Sequence, residues 1–153
     1  MWREKFEASG ARFRQAMADP RRAQAELLSE ILRDNAGTEF GREHGFADIA
    51  DLSAYRRRVP VASFDDFAPR IARMMNGEQA LLIADPPIFV ARTCGTSGAP
   101  KHIGYPARVA REYWGFVGPM LWALERDHPG SLEHALTLSG KHIEDRTWSG
   151  VPS

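Results

Sequence analysis

The stretch Thr93-Cys-Gly-Thr-Ser-Gly-Ala-Pro-Lys101 constrains this chain more than any other. It carries two glycines, three hydroxyl side chains, a thiol and a lysine, and no carboxylate. An apolar run, Ile88 to Arg92, leads into it, and His102 to Tyr105 leads out. Gly95 and Gly98 permit positive φ and close backbone approach, so consecutive N–H groups can turn toward one anion. Thr93, Thr96 and Ser97 add hydroxyl donors, and Lys101 adds a mobile full charge. Pro100 pushes Ala99 toward extended geometry, which directs the lysine out of the turn. A Walker A loop needs Gly-Lys-Ser/Thr opening a helix, and here His102 follows the lysine, so that reading fails. On composition alone, an ordinary surface turn and a phosphate loop both stay open.

The elements around this loop follow from periodicity and punctuation. Trp2, Phe6, Phe13 and Met17 recur with charges between them, which predicts a helix with one buried stripe. Asp19-Pro20 is an N-cap followed by proline at the first helical position, with Leu27, Leu28, Ile31 and Leu32 on one face and a stop near Asn35 to Gly37. Thr38 to Phe46, with glycines flanking charged residues, predicts a compact loop, and Leu52 to Arg57 a short helix. Val59-Pro60-Val61 is extended. Pro69 argues for a helix start at Asp65 or Asp66, because a cap at Ser63 would bury the proline at the sixth helical position; Gly77 closes the end. Ala80 to Ile83, Ile88 to Arg92, His102 to Tyr105 and Ala135 to Ser139 are strand candidates. Pro106 begins a helix that Gly118-Pro119 should kink or divide. The fold class expected is α/β: a helical part over residues 1–78, then strand, phosphate-binding loop, helix and strand over 79–153.

Other function classes fall away. Twenty Lys plus Arg balance twenty Asp plus Glu, so no global field draws in nucleic acid or an anionic membrane. No apolar run is long enough to cross a membrane and the N-terminus is charged, from which a cytoplasmic protein is expected. The single Cys94 excludes an internal disulfide or a thiolate zinc site, and the five histidines show neither HxH nor HExxH spacing, so no metal site is expected. His44 reads as a structural histidine bonded to backbone. Arg56-Arg57-Arg58 reads as a solvated helix end, and Asp65 and Asp66 as capping residues rather than a catalytic pair. Tyr113, Phe116 and Trp122 read as core or domain interface.

Thr93 to Lys101 resembles the phosphate-binding loop of the adenylate-forming superfamily. Together with Asn35 to Phe46, Tyr55 to Val61, Gly77-Glu78 and Ser149-Gly-Val-Pro152, the loop resembles the Gretchen-Hagen-three family of acyl-acid amido synthetases, known from plant auxin conjugation and also found in bacteria. The resemblance implies an incomplete part of the large N-terminal domain of such an enzyme. It also implies a ligase that uses ATP and Mg²⁺ to adenylate a carboxylic acid and then transfers the acyl group to an amino acid. By that likeness Thr93, Cys94, Gly95, Thr96, Ser97, Gly98 and Lys101 form the ATP phosphate-binding site, with Cys94 where the family usually has serine. No residue here is assigned a catalytic role, since the attacking group belongs to the substrate. Family members are several times longer, so the chain is expected to be inactive alone and to self-associate through uncovered apolar surface. The alternatives are a non-catalytic nucleotide- or polyphosphate-binding module, or a degenerate gene product.

Overall fold

Local capping decides where the first helices begin and end. In a computed structural model, which describes residues 2–93 and 100–132, α1 spans Trp2–Ala18 and α2 spans Pro20–Asn35. The break falls at Asp19, whose carboxylate accepts from the Arg22 backbone N–H at 3.1 Å. The remaining elements are α3 (Glu39–Glu43), a single 3-10 turn (Phe46–Asp48), α4 (Leu52–Arg58), α5 (Phe64–Met75), β1 (Pro87–Arg92), β2 (His102–Pro106) and α6 (Ala107–Asp127). The described fold is thus mixed but mainly helical. The strands β1 and β2 form a two-stranded antiparallel sheet, not an alternation of parallel strands and helices.

The chain divides into two compact units, one of residues 1–23 with 108–142, the other of residues 24–107 with 143–153. In the second unit Leu32, Phe46 and Ile49 are buried together, with Leu28, Phe40, Tyr55 and Val59 packed around them. Thr38 is fully buried (0% exposed) and fastens the start of α3: its hydroxyl donates to the Asn35 carbonyl at 2.8 Å and accepts from the Gly41 N–H at 2.9 Å. Gly41 is required by close approach, since a Cβ there would lie 2.0 Å from the Asn35 carbonyl oxygen. In the first unit the Trp122 ring lies against Gly10, with the Arg14 and Arg126 guanidinium groups 4.6 and 4.7 Å from its centroid.

Several expectations are corrected. Thr38 to Phe46 is not a plain loop, because the buried Thr38 cap nucleates α3 within it. The helix expected from Asp65 or Asp66 starts at Phe64, with Ser63 as its N-cap. Asp66 accepts from the Ser63 N–H at 2.7 Å and from its hydroxyl at 2.8 Å, and these bonds hold the earlier start. Pro69 is then tolerated inside the helix, because the carbonyl it leaves unpartnered belongs to Asp65, which is exposed to water. Ala80 to Ile83 is no strand: the Ala80 and Leu81 carbonyls accept from the Glu39 and Phe40 N–H groups at 2.8 and 3.0 Å, and Ala80 has φ 54°. Its backbone serves the open N-terminus of α3 instead of a ladder.

Further corrections concern α1 and α6. The α6 helix runs undivided through Pro119 and starts at Ala107, one residue after the expected Pro106. The α1 stripe is not wholly buried, since Phe13 is 50% and Met17 61% exposed, and Leu27 and Ile31 of α2 are also exposed. Of the three aromatic residues expected as core or domain interface, Tyr113 and Phe116 are exposed and so not core here, while Trp122 is half-buried against Gly10. Expectations borne out include the stop at Asn35, the helix from Leu52, and the close of α5. There Gly77 (φ 93°) donates to the Met74 carbonyl and Glu78 to that of Arg73, a paired C-terminal closure. The strand expected at Ala135 to Ser139 and the Ser149 to Pro152 segment lie outside the described residues.

Candidate functional site

The apolar stretches that flank the glycine-rich segment pair with each other. Arg92 stands opposite His102, Ala91 opposite Ile103, Val90 opposite Gly104 and Phe89 opposite Tyr105. The last pair stacks ring on ring, with centroids 4.7 Å apart and planes 10° from parallel. Beyond Arg92 and His102 the Thr93 N–H donates to the Lys101 carbonyl at 3.0 Å. The Lys101 N–H in turn donates to Thr93 Oγ1 at 2.9 Å. These two bonds close the mouth of the segment, so the chain leaves and returns at one fixed point. Thr93 and Lys101 are thereby brought together. Cys94, Gly95, Thr96, Ser97 and Gly98 lie outside the described residues.

At this mouth the Thr93 hydroxyl oxygen already accepts one backbone bond, which leaves its own O–H to donate. The Lys101 side chain is exposed, and its Nζ sits 4.8 Å from the centroid of the Phe64 ring. Among the described residues no carboxylate pairs with it. A lysine ammonium at a loop mouth, with no carboxylate partner among the described residues, is chemically suited to an anion.

The helix that contributes Phe64 also touches the strand that follows Lys101. A Cβ at Gly104 would lie 3.0 Å from Met74 Cε and 3.3 Å from Pro87 Cβ, so β2 packs tightly on α5 at this point. Phe64 begins α5 and Met74 stands near its end, so the two ends of this helix meet Lys101 and Gly104 respectively.

A polar network fixes α5 in turn. Arg70 Nε and Arg73 Nη2 each donate to Glu39 at 2.8 Å, Arg73 Nε donates to Glu78 at 2.8 Å, and Arg70 also pairs with Glu43. Hydrogen bonds from Arg73 and Arg70 hold the Glu39 carboxyl down at about 2. Arg73 likewise holds Glu78 below the usual carboxylate range. Ser63, through its backbone N–H and then its hydroxyl, lowers Asp66. Sequence reasoning missed this network and the Phe64 contact. The signal available for the network was the i, i+3 spacing of Arg70 and Arg73, which puts both on one face of α5.

Other candidates resolve into structural roles. His44 Nδ1 lies 3.2 Å from the Arg58 carbonyl oxygen, as expected of a histidine bonded to backbone, and its ring meets Phe40 edge-on at 4.2 Å. Arg56, Arg57 and Arg58 close α4, with Arg58 donating to the Gly45 carbonyl at 3.1 Å. Asp66 serves the start of α5, as a capping role requires. Among the described residues no three His, Cys, Asp or Glu side chains are placed to hold a metal ion. No helix of the described residues is long and apolar enough to cross a membrane.

Comparison with known proteins supplies the wider context. The GH3 family N-terminal domain matches residues 10–153. Indole-3-acetic acid-amido synthetase GH3.8 of Oryza sativa subsp. indica is 37% identical over 81 residues, covering 52% of this chain and 13% of that protein. Jasmonoyl--L-amino acid synthetase GH3.3 of Oryza sativa subsp. japonica is 34% identical over 141 residues, covering 91% of this chain and 30% of that protein. The solved structure of GH3.15 acyl acid amido synthetase shares the fold, with a TM-score of 0.76 at 24% identity over 93% of this chain and 26% of that one. The chain spans less than a third of the length of each of these relatives.

Proposed function

Because the chain belongs to the GH3 family through its N-terminal domain, we propose that it supplies the ATP phosphate-binding segment of an acyl-acid amido synthetase. One observation carries this reading: the Thr93–Lys101 closure, which sets an exposed ammonium at the mouth of a glycine- and hydroxyl-rich segment. In the reaction proposed, a carboxylate oxygen of the acid attacks the α-phosphorus of ATP and pyrophosphate leaves, giving an acyl-adenylate. The amine of an amino acid then attacks the acyl carbon, loses a proton and displaces AMP. The chain's part is to hold the β- and γ-phosphates against their own repulsion, so that the α-phosphorus is presented in line. The Lys101 ammonium and the Thr93 hydroxyl act at the mouth, and Cys94, Gly95, Thr96, Ser97 and Gly98 between them.

Magnesium, which the family likeness implies, would supply charge neutralisation of the triphosphate. Within this reading, residues 1–153 are the N-terminal part of one adenylate-forming domain. They hold polyphosphate but do not by themselves complete adenylation.

Isothermal titration of Mg-ATP into the chain and into Lys101→Ala tests the assignment. Loss of one charge-assisted contact, worth about 1.5–3 kcal/mol, is expected to weaken binding on the order of 10- to 150-fold. Equal heats from both proteins remove Lys101 from the site, and no heat from either removes phosphate holding from this chain.

A further inference from the structure

The amine of Lys101 does not project freely into solvent. Its Nζ rests 4.8 Å from the centroid of the Phe64 ring, a distance at which the negative face of the ring attracts a cation. Phe64 is partly buried and is the first residue of α5, immediately after the Ser63 cap, so its backbone is fixed on both sides. Farther along the same helix, Met74 meets Gly104 of β2, and Arg70 and Arg73 tie α5 to Glu39. The ring is therefore carried on a helix tied to its neighbours, while the lysine it faces immediately precedes β2. A cation–ring contact engages one side of an ammonium group. The N–H donors on its outer side stay available to an oxyanion.

We propose that Phe64 is a positioning residue for Lys101, its ring holding the ammonium at the loop mouth in the orientation in which it meets a polyphosphate. The proposal rests on the phosphate-binding reading above. A flexible four-carbon stem has many rotamers, and a ring that restricts them before the ligand arrives reduces the ordering that binding must impose. The ring acts through the lysine and touches no reacting atom.

The test replaces Phe64 with phenylalanines carrying one, two and three fluorines, which drain the ring's negative face while nearly preserving its shape. Inorganic tripolyphosphate with Mg²⁺ is titrated into each full chain. Across the series the dissociation constant is expected to rise steadily, reaching about two- to five-fold at three fluorines. Phe64→Trp is expected to restore or exceed the original affinity, and in a Lys101→Met background fluorination is expected to change nothing. A ring that merely fills space gives a flat series, because its volume hardly changes. Tripolyphosphate binding by the unmodified chain with a flat series overturns the positioning role and leaves the phosphate-binding reading standing. No binding by the unmodified chain overturns that reading, and this proposal with it.

Discussion

Between Asn35 and Glu78 the start of each α-helix is fastened by a particular polar contact. Thr38 caps α3, Asp51 caps α4 through the Ala54 N–H at 2.7 Å, Asp66 secures the start of α5, and Glu39 gathers two arginines. In α1 and α6 large apolar side chains face outward. Phe13 and Met17 do so on α1, and Tyr113, Phe116 and Met120 on α6, with Phe116 80% exposed. The difference separates two tasks. The first region is specified by hydrogen bonds that fail if one partner changes. The second carries its apolar area on the surface, where substitution costs little stability and changes association instead.

That contrast can be broken most forcefully at Gly41. The Gly41→Ala variant drives a methyl group into the Asn35 carbonyl and is expected to lose about 3 kcal/mol of folding stability, measured by urea denaturation. A loss below about 1 kcal/mol would mean that the Asn35–Thr38 junction is softer than its geometry indicates.

Acid tests the same region less severely. Because the Glu39 carboxyl is held near 2 by Arg73 and Arg70, its ionised form favours the folded state. That contribution is present above the ordinary glutamate value of about 4.3 and fades as pH falls toward 2. Glu39→Gln lacks it at any pH, so the melting temperatures of the two proteins are expected to converge between about pH 4.5 and 2. A constant gap across that window would deny the Glu39 pairing its place.

The smallest effect on folding belongs to α6. Phe116→Ser is expected to change unfolding free energy by less than about 0.5 kcal/mol while lowering any self-association seen by sedimentation velocity. A large loss of stability would instead show that this ring is buried when the protein is in solution.

Legibility in the sequence follows the same division between local and distant causes. The break at Asp19, the stop at Asn35 and the closure at Gly77 were readable because each depends on residues within one turn. The short α3 was not, because its capping threonine is buried by distant packing and its first N–H groups are answered by Ala80 and Leu81. The same two carbonyls explain why an apolar run at 80–83 looked like a strand and is none. At the site, the strands on either side of the loop were within reach of pattern, and the closing bonds between its first and last residues were not. The ring beneath Lys101 was not, since no spacing rule links Phe64 to a lysine two elements away.

The closure at Thr93 and Lys101 also separates length from alignment. The pairing of β1 with β2 is set by their own ladder and sealed by two bonds at its end, so the register does not depend on how many residues lie inside the ring. Doubling the enclosed segment would add only about 0.6 kcal/mol of closure entropy. A hairpin built this way lets insertions and deletions accumulate at its tip while the lysine that guards the opening stays where it is.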